Sequence, residues 1–371
     1  MDSETENESL KNLNPENQNN FFDFPINNPL FICVISHTDT SEISGLTIAG
    51  ANPDMIKYTP PADAEFLYYG KCKCIEGIPA SPDGKPTPAL ITRSMLQNFK
   101  IPFMVVNSGA KINPSIPYFS FNISHGKNIQ NFDALSLSET KRAYQYGKIL
   151  GNQLSKTNDF VVIGESIPGG TTTALGVMLS MGIDAYNKVS SSMPDNPNLL
   201  KKTIIENSME KKNILFGSLK HDPFKAISLF GDPMIPSVAG ISSGLIENEK
   251  KIMLAGGTQM CSVAAILKSL NYDMKKISIG TTSYVVKDPS SDFVGLASLI
   301  SHDISIYGSK LDLEHSKKEG LRAYSKGYVK EGVGAGGVSI LAMLISKRNI
   351  TSNMLLSYIE KEYEYSIERY L

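Results

Sequence analysis

The sequence predicts an α/β protein built on a mainly parallel, Rossmann-like sheet with helices on both faces. Three observations carry this. Short Val-, Ile- and Phe-rich runs alternate with longer helical patterns along the chain. The runs are near-continuously apolar, as strands covered on both faces are. Several run straight into glycine and hydroxyl residues and then a helix, the strand–loop–helix unit of parallel sheets.

The elements follow in order. The stretch "MDSETENESLKNLNPENQNN" holds five acids against one lysine and few apolar residues. It cannot bury enough surface to offset the entropy of ordering. A polar tail over 1–25 is therefore expected, disordered through about residue 20. "FICVIS" (31–36) reads as the first buried strand. Residues 37–88 are rich in Pro, Gly and Ser, "YTPPADAE" and "IPASPDGKPTP" among them, and read as long loops of the lid or binding kind. "ALITRSMLQNFK" (89–100) reads as a helix and "PFMVVN" (102–107) as a strand. Ser136 and Glu139 form a capping box for a helix through about Leu154. "DFVVIG" (159–164) is a strand, followed by a glycine loop and the helix "TTTALGVMLSMG". A loop "VSSSMPDNPN" (189–198) precedes a helix from near Leu199. "KIMLAGG" (251–257) and "KISIGTT" (276–282) repeat the strand–glycine theme. From Thr351, the spacing of Leu355, Tyr358, Ile359, Tyr363 and Ile367 predicts an amphipathic helix over 351–371, packed on the domain or on a second subunit. The terminal segments thus add a small helical subregion to one α/β domain over 26–350.

Composition narrows the function. The chain has 371 residues, 41% hydrophobic and 20% charged, with net charge −1. No basic bias points to nucleic acid or an anionic membrane. No signal-peptide pattern and no apolar run of spanning length are present, so a cytoplasmic protein is expected. Cys33, Cys72, Cys74 and Cys261 read as reduced thiols. His37 and His125 stand isolated, so no metal site is expected.

Strand carboxyl ends are where open parallel sheets bind ligands. The loop "GESIPGGTTT" has the frame of a phosphate loop, with Gly164, Gly169 and Thr171 in register, yet Gly170 stands where a lysine would reach a polyphosphate. Backbone amides and a helix N-terminus suit a monophosphate instead. A tight strand–helix turn is the plainer reading of the same glycines. Glu165 would accept from ribose hydroxyls, or else cap a helix or face solvent. Glu331, before "GVGAGG", is on its residues alone an exposed acid beside Lys330. Desolvated at that turn, it would be a general base.

Five segments, "FVVIGESIPGGTTTALGVMLSMGIDA", "VSSSMPDNPNLLK", "GDPMIPSVAGISSG", "LAGGTQMCSVAAI" and "YVKEGVGAGGVSILA", match in order and spacing over about residues 30–347. In them the chain resembles the nicotinate-nucleotide–dimethylbenzimidazole phosphoribosyltransferase family, in its archaeal branch. The resemblance implies transfer of 5-phosphoribose from nicotinate mononucleotide to a benzimidazole or purine-like base. Nicotinate leaves and an α-bond forms, a step of cobalamin assembly. It implies no metal and no cofactor. It places Glu331 as general base, and Gly164, Glu165, Gly169, Gly170, Thr171, Thr172, Gly256, Gly257, Thr258 and Ser316 around the phosphoribose. A homodimer is expected.

Three positions depart from the bacterial pattern. They are Gly170, Pro197, for which Lys201 or Lys202 would compensate, and Lys330, whose charge is expected to lower the pKa of Glu331. Asp63 and Glu65 are expected to line the base pocket. The same residues also fit a non-catalytic sensor or carrier of a nucleoside monophosphate.

Overall fold

The computed structural model describes residues 9–14, 21–81, 83–347 and 349–370. Strands β1 (Leu10–Asn12), β2 (Pro29–Ile35), β3 (Phe103–Asn107), β4 (Phe119–Ser120), β5 (Phe160–Ser166), β6 (Lys251–Ala255), β7 (Ile277–Thr282) and β8 (Ser305–Ser309) form one sheet, in the order β1-β8-β7-β6-β5-β2-β3-β4. All pairs are parallel except β1 with β8. The chain builds outward from β2 to β3 and β4. It then returns to lay β5 on the other side of β2 and continues to β8. The direction of winding reverses between β2 and β5, and such a switch point opens a crevice at the strand carboxyl ends.

Alternate residues of each strand feed two cores, as the two-residue period of a strand requires. On one face Ile32, Val34, Val161, Ile163, Ile252 and Leu254 are buried against one set of helices. These are α3 (Leu137–Leu154), α4 (Gly170–Ser180), α5 (Asn198–Lys211), α6 (Pro223–Phe230), α7 (Met234–Glu247), α8 (Thr258–Ser269) and α10 (Phe293–Ile300). On the other face Phe31, Cys33, Ile35, Phe160, Val162 and Met253 meet α1 (Thr59–Tyr69), α2 (Ala89–Asn98), α12 (Ala335–Ile345) and α13 (Ser352–Ser366). The short helices α9 (Ser283–Val286) and α11 (Glu319–Arg322) complete the set. Ser136 starts α3 as expected, accepting the Glu139 amide at 3.1 Å.

Two expectations are corrected. Within the stretch expected to be disordered, Leu10–Asn12 pair with Tyr307–Ser309 as an edge strand, and in the rest of the expected polar tail Phe21 is fully buried. The rings of Phe21, Phe22 and Phe24 all lie within 6.4 Å of Phe160, so three aromatics anchor a segment whose polar neighbours dominate its composition. Residues 1–8 and 15–20 lie outside the described residues. The second correction is α1 inside the long loop 37–88. "TPPADAEFLYY" reads as a break because of its prolines. Yet Pro60 and Pro61 sit in the first turn, where their missing amides cost no helical bond.

The C-terminal helix packs on its own domain, against α2. There the buried Arg93 guanidinium donates to Glu362 at 2.9 Å and to the Leu67 carbonyl at 2.6 Å. Removing one partner of a buried pair strands the other charge. Glu362→Ala is expected to cost about 3–5 kcal/mol of stability in denaturant melts. A loss below about 1 kcal/mol would mean the pair does not hold the helix.

Candidate active site

A solvent-open cleft with about 1020 Å³ of empty space crosses the carboxyl edge of the sheet at the switch point. One end is formed by the starts of α4 and α8 on the first face. The other is formed by α1, the residues leading into α2, and the turn before α12 on the second face. Two helix N-termini thus point free amides and positive potential into one end.

Glu165 is the penultimate residue of β5, is buried and lines this cleft. Its Oε2 accepts the Ile167 amide at 2.9 Å. Its pKa is nonetheless raised to about 8, chiefly by burial, with the Ile167 amide acting against the rise and the charges of Asp232, Glu331 and Asp63 adding to it. Glu331 lies on the turn into α12, with part of its surface open to the cleft. Its Oε1 accepts the Gly332 and Gly336 amides, both at 3.1 Å, and its Oε2 accepts the Thr282 amide at 2.7 Å and the Thr281 hydroxyl at 3.2 Å. Burial outweighs these four donors and raises its pKa to about 7. The exposed-acid reading of Glu331 is thereby corrected: the glycines let α12 start against the end of β7, which leaves its carboxylate largely buried, with only its cleft side open. The Val333 amide donates to the Glu165 carbonyl at 2.9 Å, tying the two segments together.

Lys330 does not lower Glu331. Its ammonium turns away into a buried ion pair with Asp288 at 2.9 Å and a bond to the Met193 carbonyl at 3.0 Å. Of the two lysines expected to replace the missing cation, Lys202 is exposed, 3.8 Å from Glu206. Lys201 is buried and donates to the Ser190 carbonyl at 2.7 Å and Asn196 Oδ1 at 2.8 Å. Burial, and then the charge of Lys330, lower its pKa to about 7. It braces the segment Ser190–Ser192, which lines the cleft.

Of the residues assigned to phosphoribose, Glu165, Gly169, Thr171, Gly257 and Thr258 line the cleft with Glu331. Gly169 takes a left-handed φ of 73° as the cap of α4. The others serve the wall behind. A Cβ at Gly164 would come within 2.8 Å of Gly334 Cα, and one at Gly170 within 2.9 Å of the Gln259 amide carbon, so a side chain at 170 would require Gln259 to move aside. Thr172 is fully buried, and the Gly256 amide donates to the Gly280 carbonyl at 2.9 Å. Ser316 is a correction. Its hydroxyl donates to Glu360 of α13 at 2.7 Å, and it does not line the cleft. The family resemblance placed Ser316 at the phosphoribose, but its stretch of chain packs against the C-terminal helix instead.

Two further carboxyls are buried, Asp63, expected at the cleft, and Asp232, which the sequence did not single out. Asp232 accepts the Thr173 hydroxyl at 2.5 Å and the Met234 and Ile235 amides at 3.0 and 3.2 Å. Asp63 accepts the hydroxyls of Thr87 at 2.6 Å and Ser166 at 2.7 Å. Burial raises both to about 6. Asp63 lines the cleft as expected, whereas Glu65 does not. Glu65 takes the amides of Lys73, Cys74 and Ser115. Among the described residues no ion pair involves Asp63, Glu165, Asp232 or Glu331. His37 and His125, isolated in sequence, converge on Asp39 at 3.7 and 3.4 Å. The ammonium of Lys111 sits 2.8 Å from both Asp39 and Glu42.

A family model described as Phosphoribosyltransferase matches residues 92–285. UPF0284 proteins of Sulfurisphaera tokodaii and Archaeoglobus fulgidus are each 45% identical to the chain. The first match covers 93% of the chain and 96% of that relative, the second 90% and 93%. A nicotinate-nucleotide-dimethylbenzimidazole phosphoribosyltransferase from Thermus thermophilus superposes with a TM-score of 0.58 at 12% identity, over 89% of this chain and 83% of that one. The structure of CobT from the same organism gives 0.57 at 13%, over 87% and 84%. At such identities the likeness is one of fold. No helix among the described residues is long and apolar enough to cross a membrane.

The four carboxyls hold their protons to higher pH in the folded chain than in the unfolded one. The stability this gives is complete below their ordinary range, near about pH 4. It is lost as pH rises through about 6 for Asp63 and Asp232, about 7 for Glu331 and about 8 for Glu165. The free protein is expected to melt lower at about pH 8.5 than at about pH 5.5. Glu165→Gln, which cannot ionise, is expected to flatten the upper part of that decline. Parallel melting curves against pH for variant and parent would contradict the burial of this charge.

Proposed function

The chain belongs to the phosphoribosyltransferase family, in its archaeal UPF0284 group, and we propose that it moves 5-phosphoribose from nicotinate mononucleotide to a nitrogen of a benzimidazole or purine-like base, releasing nicotinate and an α-ribazole-phosphate-type product for cobalamin assembly. The observation that carries this reading is the meeting of Glu165 and Glu331 in one cleft, beside glycine amides at one end. The names of the solved structures that share the fold point the same way.

In this reading the monophosphate sits on the amides of Gly169–Thr171 and at the starts of α4 and α8. Thr171, Gly257 and Thr258 line that end. Such fixed dipoles are already oriented and need no reorganisation as charge develops. The ribose lies between Glu165 and Glu331. The base enters from the α1 side, and holding it against the anomeric carbon supplies proximity. Glu331 takes the N–H proton of the base. The freed nitrogen pair forms the new bond to C1′, the C1′–N bond to nicotinate breaks, and nicotinate departs with that electron pair. A base with a pKa of about 7 is matched to a proton transfer at neutral pH. Glu165 accepts a hydrogen bond from a ribose hydroxyl, and its carboxyl lies against the ring on which positive charge grows.

Glu331→Gln is expected to lower kcat by about 10²–10⁴-fold. Nicotinate mononucleotide binding, read by calorimetry, should stay within about threefold. In the parent protein kcat/KM should fall below about pH 7, approaching tenfold per pH unit, as Glu331 takes up its proton. Unchanged turnover in the variant, or a flat profile through this range, would remove Glu331 from the chemistry.

A further inference from the structure

The cleft has an end that the phosphoribose does not fill, and its chemistry is set by Asp63. This residue is on α1, across the sheet from the glycine loops, and is 2% exposed yet lines the cleft. Its Oδ1 takes the proton of the Thr87 hydroxyl and its Oδ2 that of Ser166. Both residues also line the cleft.

A hydroxyl has a single proton to give. Having given it to Asp63, each presents lone pairs elsewhere. Thr87 uses one on the Ala89 amide, at 3.2 Å. Ser166 and the remaining lone pairs of Asp63 are left as acceptors at the cleft wall. Among the described residues no cation pairs with Asp63: of the two lysines that line the cleft, Lys330 is committed to Asp288 and Lys85 lies over the Tyr328 ring at 5.9 Å. Acceptors buried without donors are costly, more so with a charge. A ligand edge that lies against this wall must bring N–H groups.

We propose that Asp63, with Ser166 and Thr87 holding it, selects an acceptor base that carries hydrogen-bond donors on the edge away from its attacking nitrogen. This inference rests on the transferase reading above, which places the base at this end. An amino-substituted purine such as adenine presents a donor there. The two methyl groups of dimethylbenzimidazole present none and would leave the remaining lone pairs of Asp63 and Ser166 without a donor. A site built to bond a donor rejects the analogue that lacks it, because its own polar groups are then left unpaired.

The test compares kcat/KM for adenine and for 5,6-dimethylbenzimidazole, with nicotinate mononucleotide as donor, in the parent protein and in Asp63→Asn and Asp63→Ala. The ratio between the two bases is the readout, since a loss of folding or of phosphoribose binding lowers both alike. The parent should favour adenine by at least about tenfold, and the two variants should erase or invert that ratio. A parent that favours dimethylbenzimidazole, or variants that keep the parental ratio, would overturn the assignment. Absence of nicotinate release with every base strikes at the transferase reading instead. The assignment is then read by calorimetry of the two bases. Tighter adenine binding that is lost in Asp63→Asn supports it, and equal binding of both bases to the parent overturns it.

Discussion

The cleft depends on a contact between two glycines. Gly164 of β5 and Gly334 at the cap of α12 meet so closely that a Cβ on the first would lie 2.8 Å from the Cα of the second. A Cβ on Gly334 would in turn strike the ring of Phe31 at 2.8 Å. This close approach lets Val333 bond to the Glu165 carbonyl and brings the turn that carries Glu331 over the ends of β5 and β7. The turn is strained to fit. Val329, Lys330 and Val333 take positive φ values of 61°, 24° and 53°, unusual for β-branched or long side chains. Strain of this kind persists only where surrounding packing over-determines it, and it concentrates at functional sites.

The same geometry explains the electrostatics. Four carboxyls gather at the switch point of the sheet, where strand ends and helix starts converge, and each is pushed above its ordinary range chiefly by burial. Paired with lysines they would be fixed anions of ordinary acidity. The nearby lysines do not pair with them: Lys330 is engaged with Asp288, Lys201 with the backbone of Ser190, and Lys85, which also lines the cleft, lies over the Tyr328 ring at 5.9 Å. What remains is an acidic cleft whose groups titrate near neutrality, with amide-rich helix starts at one end. That polarity suits a ligand with an anionic phosphate at one end and a ring that gains positive charge at its centre.

The fold is legible because strands buried on both faces advertise themselves. β2, β3, β5, β6 and β7 all read as apolar runs, and each lies within two residues of its expected place. β8 and β1 give no such signal. "SIYGS" has too little apolar character to mark a strand, and Leu10–Asn12 owes its place to a partner distant in sequence. α1 is hidden by two prolines that sit harmlessly in its first turn. At the site, glycine loops mark where the cleft lies. They do not tell which glycines face it, because Gly164 and Gly170 matter for what fits behind them. The directions of Lys330 and Ser316 depend on tertiary partners, Asp288 and Glu360, that no local pattern reveals.

The most direct test is a crystal structure of the protein with nicotinate mononucleotide bound. The phosphate is expected on the amides of Gly169–Thr171, with the anomeric carbon between the carboxylates of Glu165 and Glu331. A nucleotide bound outside this cleft, or reversed with its phosphate against Asp63, would contradict the account.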